Sequence, residues 1–227
     1  LERGQVIFAA AVTGGQFGAA AAGGVFRSVN SGADWQRISG TDGSTDGIDN
    51  DGDGVTDEGG ELNLPNTDAS HLVGDPGNDL RFFTAVPGVG VFRSQDAGVA
   101  WQSMTAGMIA ALIADGQDND GDGNIDEANE GRQVLGNTTR IELAVPNNPS
   151  STTNPVYAAL LTRTQPRPVN LLQSTDAGNT WTVMDVLTGL YDKGGELHHF
   201  AIVADPSDSN VVFVSARTKG SYGNVRL

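Results

Sequence analysis

A short pattern that recurs three times constrains this chain more than its composition does. It reads Ser28, Asn30, Gly32 and Trp35 in the first copy, Ser94, Asp96, Gly98 and Trp101 in the second, and Ser174, Asp176, Gly178 and Trp181 in the third. A repeat at such long spacing marks one supersecondary unit used again, each copy burying an apolar face against the next. The runs Val25–Ser28 and Val91–Ser94 lead into the pattern, and a second run headed by the Trp leaves it, which is the signature of strand, turn and strand. Within the turn, Ser and Asp oxygens accept bonds from backbone N–H groups, and Gly takes a positive φ without steric cost. The expected unit is a clasped hairpin whose Trp plate fills the space between adjacent sheets.

Taken in order, Gln5–Val12 reads as a strand, and Val25–Ser28 with Asp34–Ser39 as the first clasped hairpin, which lacks an innermost strand. The second repeat is fuller, with strands at His71–Val73, Leu80–Val86, Gly90–Ser94 and Ala100–Met104. The third runs through Arg140–Val145, Val156–Thr162, Val169–Ser174 and Thr180–Val186, and the fourth through His199–Val203, Val211–Ala216 and Val225–Leu227. Pro76, Pro146 and Pro206 each fall just after the first strand of a repeat, where a missing N–H is tolerated. The expected strand count is three, four, four and three.

These residues resemble the Asp-box of the bacterial neuraminidase repeat, found in sialidases, sortilin-type receptors, xyloglucan-cleaving glycosidases and photosystem assembly factors, all of them β-propellers. The first copy departs most, with Asn30 for Asp and Asp34 for Thr. The resemblance implies an all-β fold: a β-propeller segment of four-stranded antiparallel blades, two complete and two partial. Residues 1–40 are then a partial blade, 68–105 and 139–187 complete blades, and 197–227 a second partial blade. It also implies that Ser28, Asp96 and Asp176 are architectural, because the box is a clasp away from the active face. A closed propeller has typically 4–8 blades, so the arc is expected to be completed by neighbouring blades of a longer chain or by other copies of itself.

The formal net charge is −15, from 28 acidic and 13 basic residues. That balance argues against general affinity for nucleic acid or anionic membranes. Cysteine is absent, which removes disulfides and thiolate chemistry. No apolar run reaches the length of a membrane span. The start at Leu1 and Glu2 is neither an initiator Met nor a signal peptide, and the chain is expected to be a mature or excised segment.

Twelve of the acids lie in two related stretches, Asp46–Glu58 and Asp115–Glu127, which differ at three of thirteen positions. Carboxylates so dense raise one another's pKa unless a cation neutralises them. Calcium takes 6–8 oxygen ligands, and a Gly lets the chain turn sharply around it, whereas magnesium prefers few carboxylates and keeps its waters. Asp49, Asp51, Asp53 and Gly54, like Asp118, Asp120, Asp122 and Gly123, match positions one, three, five and six of an EF-hand-like loop. The twelfth position departs, being Gly60 or Asn129, with Glu61 and Glu130 one residue later. No helical pattern clearly flanks either loop. The stretches resemble the Asp-rich calcium loops of thrombospondin type 3 and dockerin-like repeats. That resemblance implies Asp57 and Asp126 as further ligands, with the carbonyls of Val55 and Asn124. The two loops, spanning 41–61 and 115–130, are expected insertions between blades. Calcium there would stiffen a blade junction or make a surface contact.

Other motifs carry less. His198 and His199 beside Glu196 would point to opposite faces of a strand. Asn137 with Thr139 fits a glycosylation acceptor by pattern alone. Tyr157, Tyr191 and Tyr222 read as core or rim aromatics, and no motif gathers Arg81, Arg140, Arg163 and Arg217 into a carboxylate-binding cluster. The sequence thus leads to the expectation of a non-catalytic, calcium-binding propeller module of a secreted or cell-surface bacterial protein, serving as scaffold, adhesion module or fibre subunit, with glycans as candidate ligands. The alternative is part of a sialidase- or xyloglucanase-type glycoside hydrolase, which requires two carboxylates about 5–10 Å apart in a groove.

Overall fold

The computed structural model describes residues 6–13, 23–41, 55, 63–120, 122–148, 151, 153–163, 169–187, 200–218 and 221–226. They form four antiparallel sheets in which sequence neighbours pair in order. The first sheet holds β1 (Ile7–Ala11), β2 (Gly24–Ser28) and β3 (Gln36–Arg37). The second holds β4 (His71–Asp75), β5 (Asn78–Val86), β6 (Gly90–Ser94) and β7 (Gln102–Ser103). Two helices follow it, α1 (Thr105–Leu112) and α2 (Glu130–Gly136). The third sheet is β8 (Thr138–Ala144), β9 (Val156–Thr162), β10 (Val169–Ser174) and β11 (Thr182–Leu187). The fourth is β12 (Ala201–Ala204), β13 (Val212–Thr218) and β14 (Ser221–Arg226).

The strand count of three, four, four and three is therefore as the repeats indicate. The helices are a correction: α1 and α2 flank the second acidic stretch, where no helical pattern had been expected. Each is short, and α1 buries only Met108 and Leu112, a single i, i+4 pair that gives little periodic signal.

Alternation explains why the third sheet lies between two others. Along β9, Val156, Ala158 and Leu160 join the core shared with the second sheet and the helices, while Tyr157, Ala159 and Leu161 join the core shared with the fourth. Successive side chains on a strand point to opposite faces, so a strand apolar at every position must be covered on both. Each fully buried Val or Leu contributes about 1.5–3 kcal/mol. At the fourth sheet the pattern changes. Ile202 and Val214 are buried, whereas Val203 and Phe213 are 59% and 42% exposed and lie directly opposite one another in register.

The first strands of the sheets are neighbours, with β1 touching β4, β4 touching β8 and β8 touching β12. Side chains bolt these strands together. Ser70 Oγ donates to the Ile141 carbonyl at 2.8 Å and accepts the Ile141 N–H at 3.1 Å. His71 Nδ1 accepts the Leu143 N–H at 2.7 Å. Burial lowers the His71 pKa, with the Arg140 charge adding to it against the pull of Glu142, which keeps the ring in the neutral form that this acceptor role needs.

Candidate metal centre

The three turns share one construction. In the second, Ser94 Oγ donates to Asp96 Oδ1 at 2.8 Å and accepts the Gly98 N–H at 2.8 Å. Asp96 Oδ1 in turn accepts the Val99 and Ala100 N–H groups. In the third, Ser174 Oγ holds the Gly178 N–H at 2.7 Å, Asp176 accepts both the N–H and the hydroxyl of Thr180, and Trp181 Nε1 donates to the Gly178 carbonyl at 2.9 Å. Asn30 serves the first turn with its amide oxygen on the Asp34 N–H and its amide nitrogen on Asp34 Oδ2. Gly32, Gly98 and Gly178 have positive φ, and so do the preceding Ser31, Ala97 and Ala177, at about 60°. Ser and Asp thus spend their polar atoms on backbone donors inside the turn.

The turns also connect the sheets. Arg27 Nε donates to the Ala97 carbonyl at 2.8 Å, and Arg93 Nη1 donates to the equivalent Ala177 carbonyl at 2.9 Å. One sheet therefore hands a guanidinium to the left-handed residue of the next sheet's turn. In the third sheet the equivalent position is Gln173, whose amide donates to the Tyr157 hydroxyl, and that hydroxyl donates to the Ser209 carbonyl at the fourth sheet. Trp101 is fully buried against Phe8 in an edge contact at 6.2 Å, Trp181 is 7% exposed, and Trp35 is 45% exposed.

The second acidic stretch differs from all three turns. It joins α1 to α2, and the two helices pack on each other. Asp118 Oδ1 and Asp120 Oδ1 both accept the Asp122 N–H at 3.1 Å, and Asp118 Oδ2 accepts the Gly123 N–H at 3.0 Å, so the chain curls with these carboxylates turned inward. Glu130, in the first turn of α2, brings a third carboxylate, and one oxygen from each of Asp118, Asp120 and Glu130 lies within 4.8 Å of the others. Glu130 is fully buried. Its Oε1 accepts the Asn119 N–H, while its Oε2 is buried with no hydrogen-bond partner.

Electrostatics agree with that geometry. Burial raises the Glu130 pKa, and the charges of Glu127, Asp120 and Asp115 raise it further against the Asn119 hydrogen bond. Burial likewise raises Asp120, with Asp122 and Asp118 adding their repulsion against the Asp122 N–H bond. An orphaned buried carboxylate oxygen is costly, and a divalent cation among three carboxylates removes that cost. The donors are all oxygen, the set that calcium prefers. These residues fit a hard divalent ion.

The side chains of the other candidates described in this stretch meet partners within it. Asp122 Oδ1 accepts the N–H and side-chain amide of Asn124. Asp126, with φ of 55°, turns its carboxylate to the N–H groups of Asp115 and Gly116, closing the end of the stretch onto its start. Asp122, Asn124 and Asp126 are all exposed. In the first stretch Asp49, Asp51, Asp53 and Asp57 lie outside the described residues, as do His198, His199 and Glu196, and Val55 is 53% exposed. Glu130 is the ligand candidate that the loop pattern omits. Its signal is the acid that follows Asn129 by one residue.

A cavity of about 780 Å³ lies near the starts of β4 and β8, lined among others by Thr13, Asp68, Asn137, Arg140 and Arg163. Asp68 is the single carboxylate among its described lining residues, and Thr13 holds it through the N–H at 2.9 Å and the hydroxyl at 2.6 Å. No helix among the described residues is long and apolar enough to cross a membrane. No known protein-family model and no curated protein matches the chain.

Proposed function

We propose that this chain is a calcium-stabilised β-propeller segment of Asp-box repeats, acting as a non-catalytic scaffold, adhesion module or fibre subunit of a secreted or cell-surface bacterial protein. The observation that carries the calcium reading is the buried Glu130 carboxylate, gathered with those of Asp118 and Asp120 and with its Oε2 left without a hydrogen-bond partner. Support for the propeller comes from the sequential strand order, the adjacency of the first strands and the Arg-to-turn bonds that repeat from sheet to sheet. Neighbouring blades or other copies of the chain are the proposed partners, and glycans the proposed ligands.

In this reading the ion acts through position. The acidic stretch joins the second sheet to the third, so a bound cation fixes α1 against α2 and thereby one sheet against the next. Extracellular calcium modules work with dissociation constants of about 10⁻⁴–10⁻³ M, and a site of that strength is about half to nine-tenths filled where calcium is about 1 mM. The test is isothermal titration of chelator-treated protein with calcium and with magnesium. Loss of one bound calcium per chain in the Asp118→Asn variant supports the reading, and absence of any calcium heat from the unmodified chain contradicts it.

A further inference from the structure

Two buried asparagines lie behind the carboxylates. Asn119 and Asn170 are both fully buried, although one belongs to the acidic stretch and the other to β10. Asn119 donates its side-chain amide to the Leu112 carbonyl at 3.1 Å and to Asp115 Oδ1 at 3.0 Å, tying the end of α1 to the stretch. Its backbone N–H meets Glu130 Oε1. Its backbone carbonyl accepts the Asn170 side-chain amide at 3.1 Å. An unbroken path therefore runs from Glu130 through the two polar groups of the Asn119 backbone to the middle of the third sheet. Buried amides at the interior face of a β-strand are costly unless bonded, and the Asn170 amide spends its donor on this one loop carbonyl.

We infer that Asn170 is a positioning residue for the cation site: by holding the Asn119 carbonyl it fixes the loop whose N–H meets Glu130 Oε1, and so keeps the Glu130 carboxylate beside Asp118 and Asp120. This rests on the calcium reading above and adds to it the route by which the third sheet senses the ion. Groups bonded directly to a metal ligand, as the Asn119 N–H is to Glu130, change affinity by about 10–100-fold when they are removed; Asn170 acts one bond further out, at the lower end of that range. Because coupling is reciprocal, calcium must also tighten β10 around Asn170.

The test compares calcium titrations of the full chain and its Asn170→Leu variant, with thermal unfolding of both in chelator. Leu keeps most of the side-chain volume and removes the donor. The expected result is calcium affinity weakened by about 10-fold, with unfolding in chelator nearly unchanged, because removal of the orphaned Asn170 Oδ1 offsets the lost donor to the Asn119 carbonyl. Hydrogen exchange of the unmodified chain supplies a second measurement that needs no variant to fold: calcium is expected to slow the amides of Asn119 and β10 more than those of β2. Wild-type affinity in Asn170→Leu, or equal slowing of β10 and β2, overturns the inference while leaving the cation site standing. Failure of the unmodified chain to bind calcium at all overturns both.

Discussion

The clasped turns and the acidic stretch use the same side chains to opposite ends. At Asp176, burial pushes the pKa up, but the bonds from the Thr180 N–H, the Thr180 hydroxyl and Ser174 outweigh it and the net shift is downward. At Glu130, burial pushes in the same direction, a single backbone N–H opposes it, nearby carboxylates add to it, and the net shift is upward. A carboxylate whose oxygens meet protein donors is finished as structure. One that is buried with an oxygen left over is waiting for a proton or a cation. The difference sets Asp176, which holds the fold, apart from Glu130, which is proposed to hold a cation, although acids dense in a turn look alike in both.

The largest expected effect lies on the clasp side. Trp101→Ala should cost about 3–5 kcal/mol, equally with and without calcium, because Trp101 is fully buried between the first two sheets. Trp35→Ala, at a side chain 45% exposed, should cost less than about 1 kcal/mol, as read by denaturant unfolding of both variants. A comparable loss at Trp35 would mean that another surface covers it.

Chelation comes next. Calcium at about 100 times its dissociation constant should stabilise the chain by about 2.7 kcal/mol, seen as a melting temperature that falls on addition of chelator. The Ser174→Ala variant should lose a smaller amount, about 1–2 kcal/mol, since its hydroxyl serves both Asp176 and the Gly178 N–H. Its calcium-dependent increment should be intact. Loss of that increment would blur the division between clasp and site.

The smallest effect is in pH dependence, and the two regions should differ in sign. Asp176, with a lowered pKa, contributes stability that is present above its unfolded value of about 3.9 and is lost as pH falls through its folded value. Glu130, with a raised pKa, does the reverse in calcium-free protein. Its folded state binds more protons, so stability declines as pH rises from about 4.3 through the folded value. Calcium replaces the proton, and the gap between melting temperatures with and without calcium should widen over that range. A constant gap would contradict the assignment of Glu130.

Much of the architecture is legible from local pattern. Gly90–Ser94, Val156–Thr162 and Val169–Ser174 are strands over the same residues that the sequence marks, because alternation and the following turn fix both ends. The outermost strands of the first two sheets are shorter than expected: within Asp34–Ser39 the strand is Gln36–Arg37, and within Ala100–Met104 it is Gln102–Ser103. There the turn consumes the first residues, since Asp34 and Ala100 give their N–H groups to Asn30 and Asp96. The outermost strand of the fourth sheet, expected at Val225–Leu227, is longer, at Ser221–Arg226. The helices escape notice because each spans about two turns. Asp118 and Asp120 are legible from spacing, whereas Glu130 enters from a helix that local pattern does not reveal. Asn170 lies 51 residues from its partner Asn119, a distance over which no spacing rule applies.

The proposed cation site depends on Glu130, and its sharpest test is calcium stoichiometry and thermal unfolding of the Glu130→Gln variant beside the unmodified chain. The expected result is one calcium ion fewer per chain and a melting temperature in chelator equal to or above that of the unmodified protein, because a buried unpaired charge has been removed. Unchanged stoichiometry, or a lower melting temperature in chelator, would show that Glu130 is a structural carboxylate like Asp176 and that the ion, if bound, lies elsewhere.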